Sequence, residues 1–225
     1  MSEVFEERPS DSPFVTNFSY SLTLTDGVST LPADGHWYLF LMTQNGKARL
    51  AVGGPITKVI YFPYTEGTEW IGMRFTLGTY MPHLPAINLL DNVTFLPEAS
   101  SKSFWLHSSS WQFPDYQNID TFADRLIREE LLVRDPVVNA ALQDHPQDMS
   151  LRSLQRRFLH VTGVTRSTVR QIERARQAAA LLQQGKSIMD TVYEAGYFDQ
   201  PHLTRSLKRF MGQTPAQISP VSAPE

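Results

Sequence analysis

A chain of 225 residues that is 41% hydrophobic and 11% aromatic carries enough apolar side chain for two modest cores, and too much for a disordered polymer. Its formal net charge of -3 conceals two stretches of opposite sign: residues 1–119 hold 6 Lys+Arg against 11 Asp+Glu, whereas residues 150–212 hold 11 against 4. The chain has no cysteine, which excludes disulfides, thiolate metal sites, iron–sulfur clusters and cysteine nucleophiles. No apolar run approaches the roughly 18 residues of a membrane helix, and the acidic start from Met1 to Ser10 is unlike a basic signal region, so no membrane association and a cytoplasmic location are expected.

From about Phe14 to Leu77 the pattern is that of short strands. Phe18, Tyr20, Leu22 and Leu24 alternate with polar residues, the period of a half-buried strand. Asn45-Gly46 supplies a type I′ turn between Tyr38–Leu41 and Ala48–Val52, which predicts a hairpin over residues 37–52. Further strands are expected over 58–64 and 69–77, separated by Gly53-Gly54-Pro55 and Glu66-Gly67. Such a series reads as a small sandwich or barrel. From Tyr80 to Tyr116, four prolines interrupt any long element and the expectation is loops and small pieces.

Helical periodicity resumes near Ile119. Phe122, Leu126 and Leu131-Leu132 predict a helix over about 120–134, and Asp135-Pro136 is an N-cap followed by a first-turn proline for a second helix to Gln143. Beyond it lies a repeat spaced by 49 residues: Leu154, Arg156, Phe158, Gly163 and Thr165 recur as Leu203, Arg205, Leu207, Gly212 and Thr214. In the first copy Ser150 caps a helix whose inward stripe is Leu151, Leu154, Phe158 and Val161, stopped by Gly163. In the second, Asp199 caps a helix that turns Leu203, Leu207 and Phe210 inward, and Ser187–Ala195 with Gly196 forms the helix and tight turn before it. Residues 167–184 read as one uninterrupted helix ending at Gly185, about 27 Å long at 1.5 Å per residue. That is close to the pitch of about 34 Å of B-DNA, so units at its two ends can reach successive major-groove segments.

Four segments then carry a resemblance: residues 150–158 (Ser-Leu-Arg-Ser-Leu-Gln-Arg-Arg-Phe), Arg174-Ala175-Arg176 with Ala179 and Leu181-Leu182, residues 195–205 from Ala195 to Arg205, and Gly212-Gln213-Thr214-Pro215. Over about Asp135 to Ser219 the chain resembles the DNA-binding domain of the AraC/XylS-type bacterial transcription regulators, in which a long helix joins two helix-turn-helix units. Asp144–Asp148 departs from that pattern by lengthening the approach to the first recognition helix. The resemblance implies that Arg152, Gln155 and Arg156 in the first unit, and Gln200, His202, Thr204 and Arg205 in the second, face double-stranded DNA. Arg can bond guanine with two donors and Gln can pair with adenine, while Lys208, Arg209 and Arg157 are better placed for phosphates. Leu154, Phe158, Leu203, Leu207 and Phe210 are core.

The expected architecture is α+β, with a β-rich domain over 1–118 (small sandwich or cupin-like barrel), a linker helix over 119–134, and an all-α domain with tandem helix-turn-helix units over 135–225. In such regulators the amino-terminal domain binds a small-molecule effector, dimerises, or does both. Tyr38, Phe40, Trp70, Phe75, Tyr80, Phe104, Trp105 and Trp111 can line an apolar pocket, although aromatics at strand spacing are more commonly core. No metal or cofactor is expected: His36, His83 and His107 are far apart in sequence, and Gly53–Lys58 lacks phosphate-loop spacing. The expected function is a sequence-specific transcription regulator rather than an enzyme. The alternatives are a DNA-tethered enzyme with its chemistry in the β domain, for which a dry aromatic core would be evidence against, and a module whose amino-terminal domain only dimerises. A DNA-repair alkyltransferase would need a cysteine acceptor, which is absent.

Overall fold

The computed structural model describes residues 3–220; Met1, Ser2 and residues 221–225, which fall within the expected domains, lie outside it. In chain order come β1 (Glu3–Pro9), β2 (Val15–Thr23), β3 (Gly27–Leu31), β4 (Tyr38–Gln44), β5 (Lys47–Gly53), β6 (Ile60–Tyr64), β7 (Glu69–Phe75), β8 (Thr79–Tyr80), α1 (Ala86–Leu89) and β9 (Val93–Phe95). There follow β10 (Glu98–Ser100), β11 (Ser103–Leu106), β12 (Ser109–Gln112), α2 (Ile119–Arg128) and β13 (Val133–Arg134).

Six of the strands make an antiparallel sheet in the order β1-β2-β7-β4-β5-β9. The expected hairpin is β4–β5, paired from Tyr38↔Gly53 to Gln44↔Lys47, with Asn45 and Gly46 both at positive φ as a type I′ turn requires. Strand periodicity sorts the two faces. Leu39, Leu41, Leu50, Val52, Ile71, Met73 and Phe75 point into the main core, while Phe40 and Trp70 lie on the other face under Phe62 of the β3–β6 ribbon, with ring centroids 5.6 and 5.2 Å apart. Among the described residues β1 and β9 remain edges, so the sheet is open and no closed barrel is formed. The residues opposite its inner face come from β11, β12 and α2: Phe104, Leu106, Trp111, Ile119, Phe122 and Leu126.

Residues 80–116 hold the loops and small pieces expected, with β10, β11 and β12 paired into a three-stranded sheet. The β11–β12 hairpin turns on His107 and Ser108, both at positive φ, a conformation that the residue types do not advertise. The expected helix over 120–134 stops at Arg128. Glu130 takes φ 55, and the Leu131 and Leu132 amides both donate to the Leu126 carbonyl, which drops these two leucines into the core. Val133–Arg134 then pairs with β8. The segment expected as a linker thus contains α2, which contributes Ile119, Phe122, Ala123 and Leu126 to the β-rich core, and which Arg8 of β1 reaches through Asp120.

The helices that follow are α3 (Pro136–Leu142), α4 (Leu151–Thr162), α5 (Arg166–Gln183), α6 (Ile188–Glu194), α7 (Gln200–Met211) and α8 (Pro215–Ile218). Each start is capped by a side chain, as expected for Asp135, Ser150 and Asp199 and found also for Thr165, Ser187 and Thr214: all six accept from the backbone amide three residues on. The two repeat glycines, Gly163 and Gly212, end α4 and α7 in the left-handed conformation at φ 74 and 76. Both also abut the β-rich half: a Cβ on Gly163 would meet the Ala86 carbonyl and Pro55 at 3.2 Å, and one on Gly212 would meet Val59 at 2.9 Å.

Gly212→Ala should therefore cost about 1–2 kcal/mol for the left-handed backbone, lowering Tm by roughly 2–8 °C, plus a further loss from the Val59 contact. Gly185→Ala, also left-handed at φ 85 but with nothing within 4 Å of its Cβ, should show the backbone cost alone. Equal losses in thermal melts of the two variants would exclude a contribution from the Val59 contact.

Candidate nucleic-acid interface

The 49-residue repeat is a structural one. α4 and α7 each contain 12 residues, both end on a left-handed glycine, and the Thr165/Thr214 pair caps the next helix in each copy. The preceding helices correspond too, since α3 and α6 contain 7 residues each. The connectors differ: residues 143–150 join α3 to α4, whereas the shorter segment 195–199 joins α6 to α7. The lengthened approach expected from Asp144–Asp148 is thus a longer connector after a positioning helix of ordinary length.

That connector has a consequence for α4. Leu151, expected on the inward stripe, is 78% exposed, because α3 covers only the later turns of α4, packing Val138 against Phe158. Phe158 and Val161 are buried as expected, and Leu154 is half-buried. In the second unit Leu203, Leu207 and Phe210 are all buried with Val192 and Tyr197.

The residues expected to face DNA divide by their partners. Arg152, Gln155 and Arg156 are exposed on one side of α4, and Gln200 and Arg205 are exposed on α7, with no side-chain hydrogen bond among the described residues. His202 and Thr204 are half-buried: the His202 ring meets Tyr197 edge-on at 5.1 Å, and the Thr204 hydroxyl donates to the Gln200 carbonyl at 2.9 Å. Lys208 and Arg209 are exposed near the end of α7. Arg157, expected with the phosphate set, has a partner within the fold as well. Its Nε donates to Asp135 Oδ2 at 2.7 Å, and Asp135 is the buried cap of α3, so this arginine ties the positioning helix to α4.

Similar pairing absorbs much of the remaining basic charge. Arg166 and Arg170 both reach Asp144, Lys186 reaches Glu194, and the Arg174 guanidinium lies 4.6 Å from the Tyr197 ring centroid. In the helical half Arg152, Arg156, Arg205 and Lys208, all on α4 and α7, have no such partner among the described residues, whereas Arg209 lies 4.9 Å from the Phe210 ring centroid and Arg176 acts on the Asp34 carboxylate. The sequence showed the excess of charge but not this sorting, which depends on acids brought in from α3 and the connector.

The aromatic residues expected to line a pocket do not converge on one. Phe75, Phe104 and Trp111 are core, Trp105 is 47% exposed, and Tyr80 packs against His160 of α4. Phe104, Phe113, Trp111 and Phe122 fill the space between the β11–β12 hairpin and α2 with ring contacts of 5.5–6.2 Å. His83 and His107, distant in sequence, come within 5.5 Å, and burial with the neighbouring imidazole lowers the His83 pKa. No group of three or more His, Asp or Glu able to hold a metal occurs among the described residues.

The two halves meet along a polar seam. The Ala33 amide donates to the Phe210 carbonyl at 2.7 Å and the Val59 amide to the Arg209 carbonyl at 3.1 Å, so backbone from the β-rich half satisfies the last turn of α7. Beside them the buried Asp34 carboxylate accepts from the His36 amide and the Tyr38 hydroxyl. Burial pushes Asp34 up to about 6, against the His36 amide bond and the charges of Arg176 and Arg74. Burial likewise lowers His36 to about 4, against its ring contact with the Phe75 carbonyl.

Paired helices with capped turns, repeated at the ends of one long helix and presenting unpaired basic side chains, define a tandem helix-turn-helix domain of the DNA-binding class. Residues 147–219 match the helix-turn-helix domain family. The HTH-type transcriptional regulator RipA of Corynebacterium glutamicum is 35% identical over 92 residues, a match that covers 40% of this chain and 28% of that protein. Among solved structures, apo ToxT from Vibrio cholerae strain SCE256 aligns over 96% of both chains at 7% identity and a TM-score of 0.41. ToxT from Vibrio cholerae O395 bound to a methylnaphthalenyl-butenoic acid aligns over 96% of this chain and 98% of that one, at 9% and 0.39. No helix among the described residues is long and apolar enough to cross a membrane.

Asp34 and His36 should oppose each other in the pH dependence of stability. A carboxyl whose folded pKa is raised keeps a proton the unfolded chain has released, so its contribution falls as pH rises from about 4 to about 6. An imidazole whose folded pKa is depressed behaves oppositely, contributing more as pH rises from about 4 to about 6.5. In Asp34→Asn, Tm should therefore climb more steeply with pH over this window than in the unaltered chain, and in His36→Gln it should climb less or fall. Indistinguishable slopes in melts from pH 4 to 7 would refute the assignment.

Proposed function

We propose that the chain is a sequence-specific DNA-binding transcription regulator, in which α4 and α7 enter successive major-groove segments of a duplex. The observation that carries this reading is the equivalence of Arg156 and Arg205, exposed at the same place on two capped helices set at the ends of α5. An 18-residue helix is about 27 Å long, which suits the groove spacing of about 34 Å. Arg152, Gln155, Arg156, Gln200 and Arg205 are the base-reading set. His202 and Thr204 join them by shaping the start of α7 as well as by touching DNA, while Lys208 and Arg209 contact phosphate.

Control comes from the β-rich half, either through a small molecule or through a second copy of the chain. Support for this lies in the seam, where Ala33 and Val59 touch the end of α7 and Pro55 the end of α4. An open cleft of about 420 Å³ there, lined by Thr30, Tyr61, Gln183, Met211 and Gln213, borders both halves. Tandem units also allow a monomer to bind, so sedimentation of the effector-free chain with and without DNA separates dimer from monomer.

The reading is tested by selecting bound duplexes from a random pool. A single enriched site with two motifs about one helical turn apart is expected, and no enrichment would refute it. On that site Arg205→Ala and Arg156→Ala should each weaken binding by about 1–3 kcal/mol and relax the preference at one base pair. Lys208→Ala and Arg209→Ala should weaken all sequences alike and reduce the slope of log affinity against log salt by about 1. Loss of sequence preference in the lysine variant would reverse its role.

A further inference from the structure

Phe198 is 91% exposed, the most exposed of the large apolar side chains among the described residues. It stands in the turn between α6 and α7, immediately before the cap Asp199. An apolar residue at that position ordinarily folds back as a staple on the fourth residue of the helix, here Leu203. Leu203 is already fully buried, within a core that includes Tyr197, whose hydroxyl bonds Ser206 at 2.8 Å and whose ring carries Arg174 on its face and His202 at its edge. Gly196, at φ 68, makes the reversal that turns residue 197 inward and leaves residue 198 outward. The fold thus satisfies its own needs with Tyr197 and holds a phenyl ring in solvent at the tip of a reading helix.

We infer that Phe198 reads a thymine, its ring packing on the 5-methyl group in the major groove; the inference rests on the DNA-binding reading above. The amino-terminal end of a recognition helix is the part that approaches base edges. Gln200 lies two residues further on, and Arg205 follows on the same helix. A phenyl ring has no donor or acceptor, and the one apolar feature that a base pair displays in the major groove is the thymine methyl. Phe198 therefore distinguishes thymine from cytosine at a position beside those read by the polar side chains.

The test uses the full chain and the duplex obtained by selection, with each thymine replaced in turn by deoxyuridine, which removes only the methyl. At one position in the motif bound by α7 the unaltered chain should lose about fourfold in affinity, the effect of removing one buried methyl. Phe198→Ala should bind the thymine site at least fourfold more weakly, gain no further loss from deoxyuridine there, and keep an unchanged Tm. Unchanged affinity in Phe198→Ala, or a thymine-to-deoxyuridine loss that persists in it, overturns the assignment while leaving the DNA-binding reading intact. Failure of the unaltered chain to enrich any duplex overturns both.

Discussion

The placement of everything on the helical side depends on one buried face of α5. Val169, near its start, packs with Phe158 and Val161 of α4, while Ile172, Ala175, Ala178, Ala179, Leu181 and Leu182 pack with the core of α6 and α7. A hydrogen-bonded helix advances 1.5 Å and turns about 100° per residue. Two cores attached to one such rod therefore have both a fixed separation and a fixed relative rotation. Thr165 and Gly185 delimit the rod, and the arginines on its side, Arg166, Arg170 and Arg174, brace it against the Asp144 connector and the Gly196 turn. The spacing of α4 and α7 thus follows from the geometry of α5 and from the two cores packed on it.

The two units lean on this rod differently. The second has a core of its own, in which Leu203, Leu207 and Phe210 meet Val192 and Tyr197. The first is thinner: Val138, Phe158, Val161, Val164 and Val169 are completed by Leu77, Tyr80 and Leu90 from the β-rich half. Burial of apolar area is the main favourable term available to so small a unit. The orientation of α4 consequently depends on a domain that, in sequence, is separate from it. Arg157 extends the same dependence, since the charge that would suit a phosphate is held by the cap of α3.

Much of this was legible in the residues because local rules fixed it. A side-chain oxygen before an amphipathic run, a glycine after it and an Asn-Gly between alternating strands each have a short-range cause, and Ser150, Asp199, Gly163, Gly212 and Asn45-Gly46 all sit where those causes place them. The strands from Glu98 to Gln112 were illegible for the converse reason. They are three or four residues long, and their turn rests on His107 and Ser108 in a backbone conformation that is imposed by packing. Non-local pairing hid the rest: the β8–β13 ribbon, the exposure of Leu151 and the capture of Arg157 all depend on partners whose proximity no spacing reveals. The side chains expected to face DNA came from the resemblance, and the exposure of Phe198 has no local signal, since a phenylalanine before a cap is ordinarily a staple.

The segment from Gly54 to Val59 joins β5 to β6 and touches both repeat glycines, Pro55 at Gly163 and Val59 at Gly212, while the Ile56 carbonyl between them accepts from the Asp34 and Gly35 amides. Five residues of chain span at most about 18 Å. The tails of α4 and α7 are thereby held by one short tether from the β-rich half. Neither tail can therefore shift without moving this segment of the β-rich half with it.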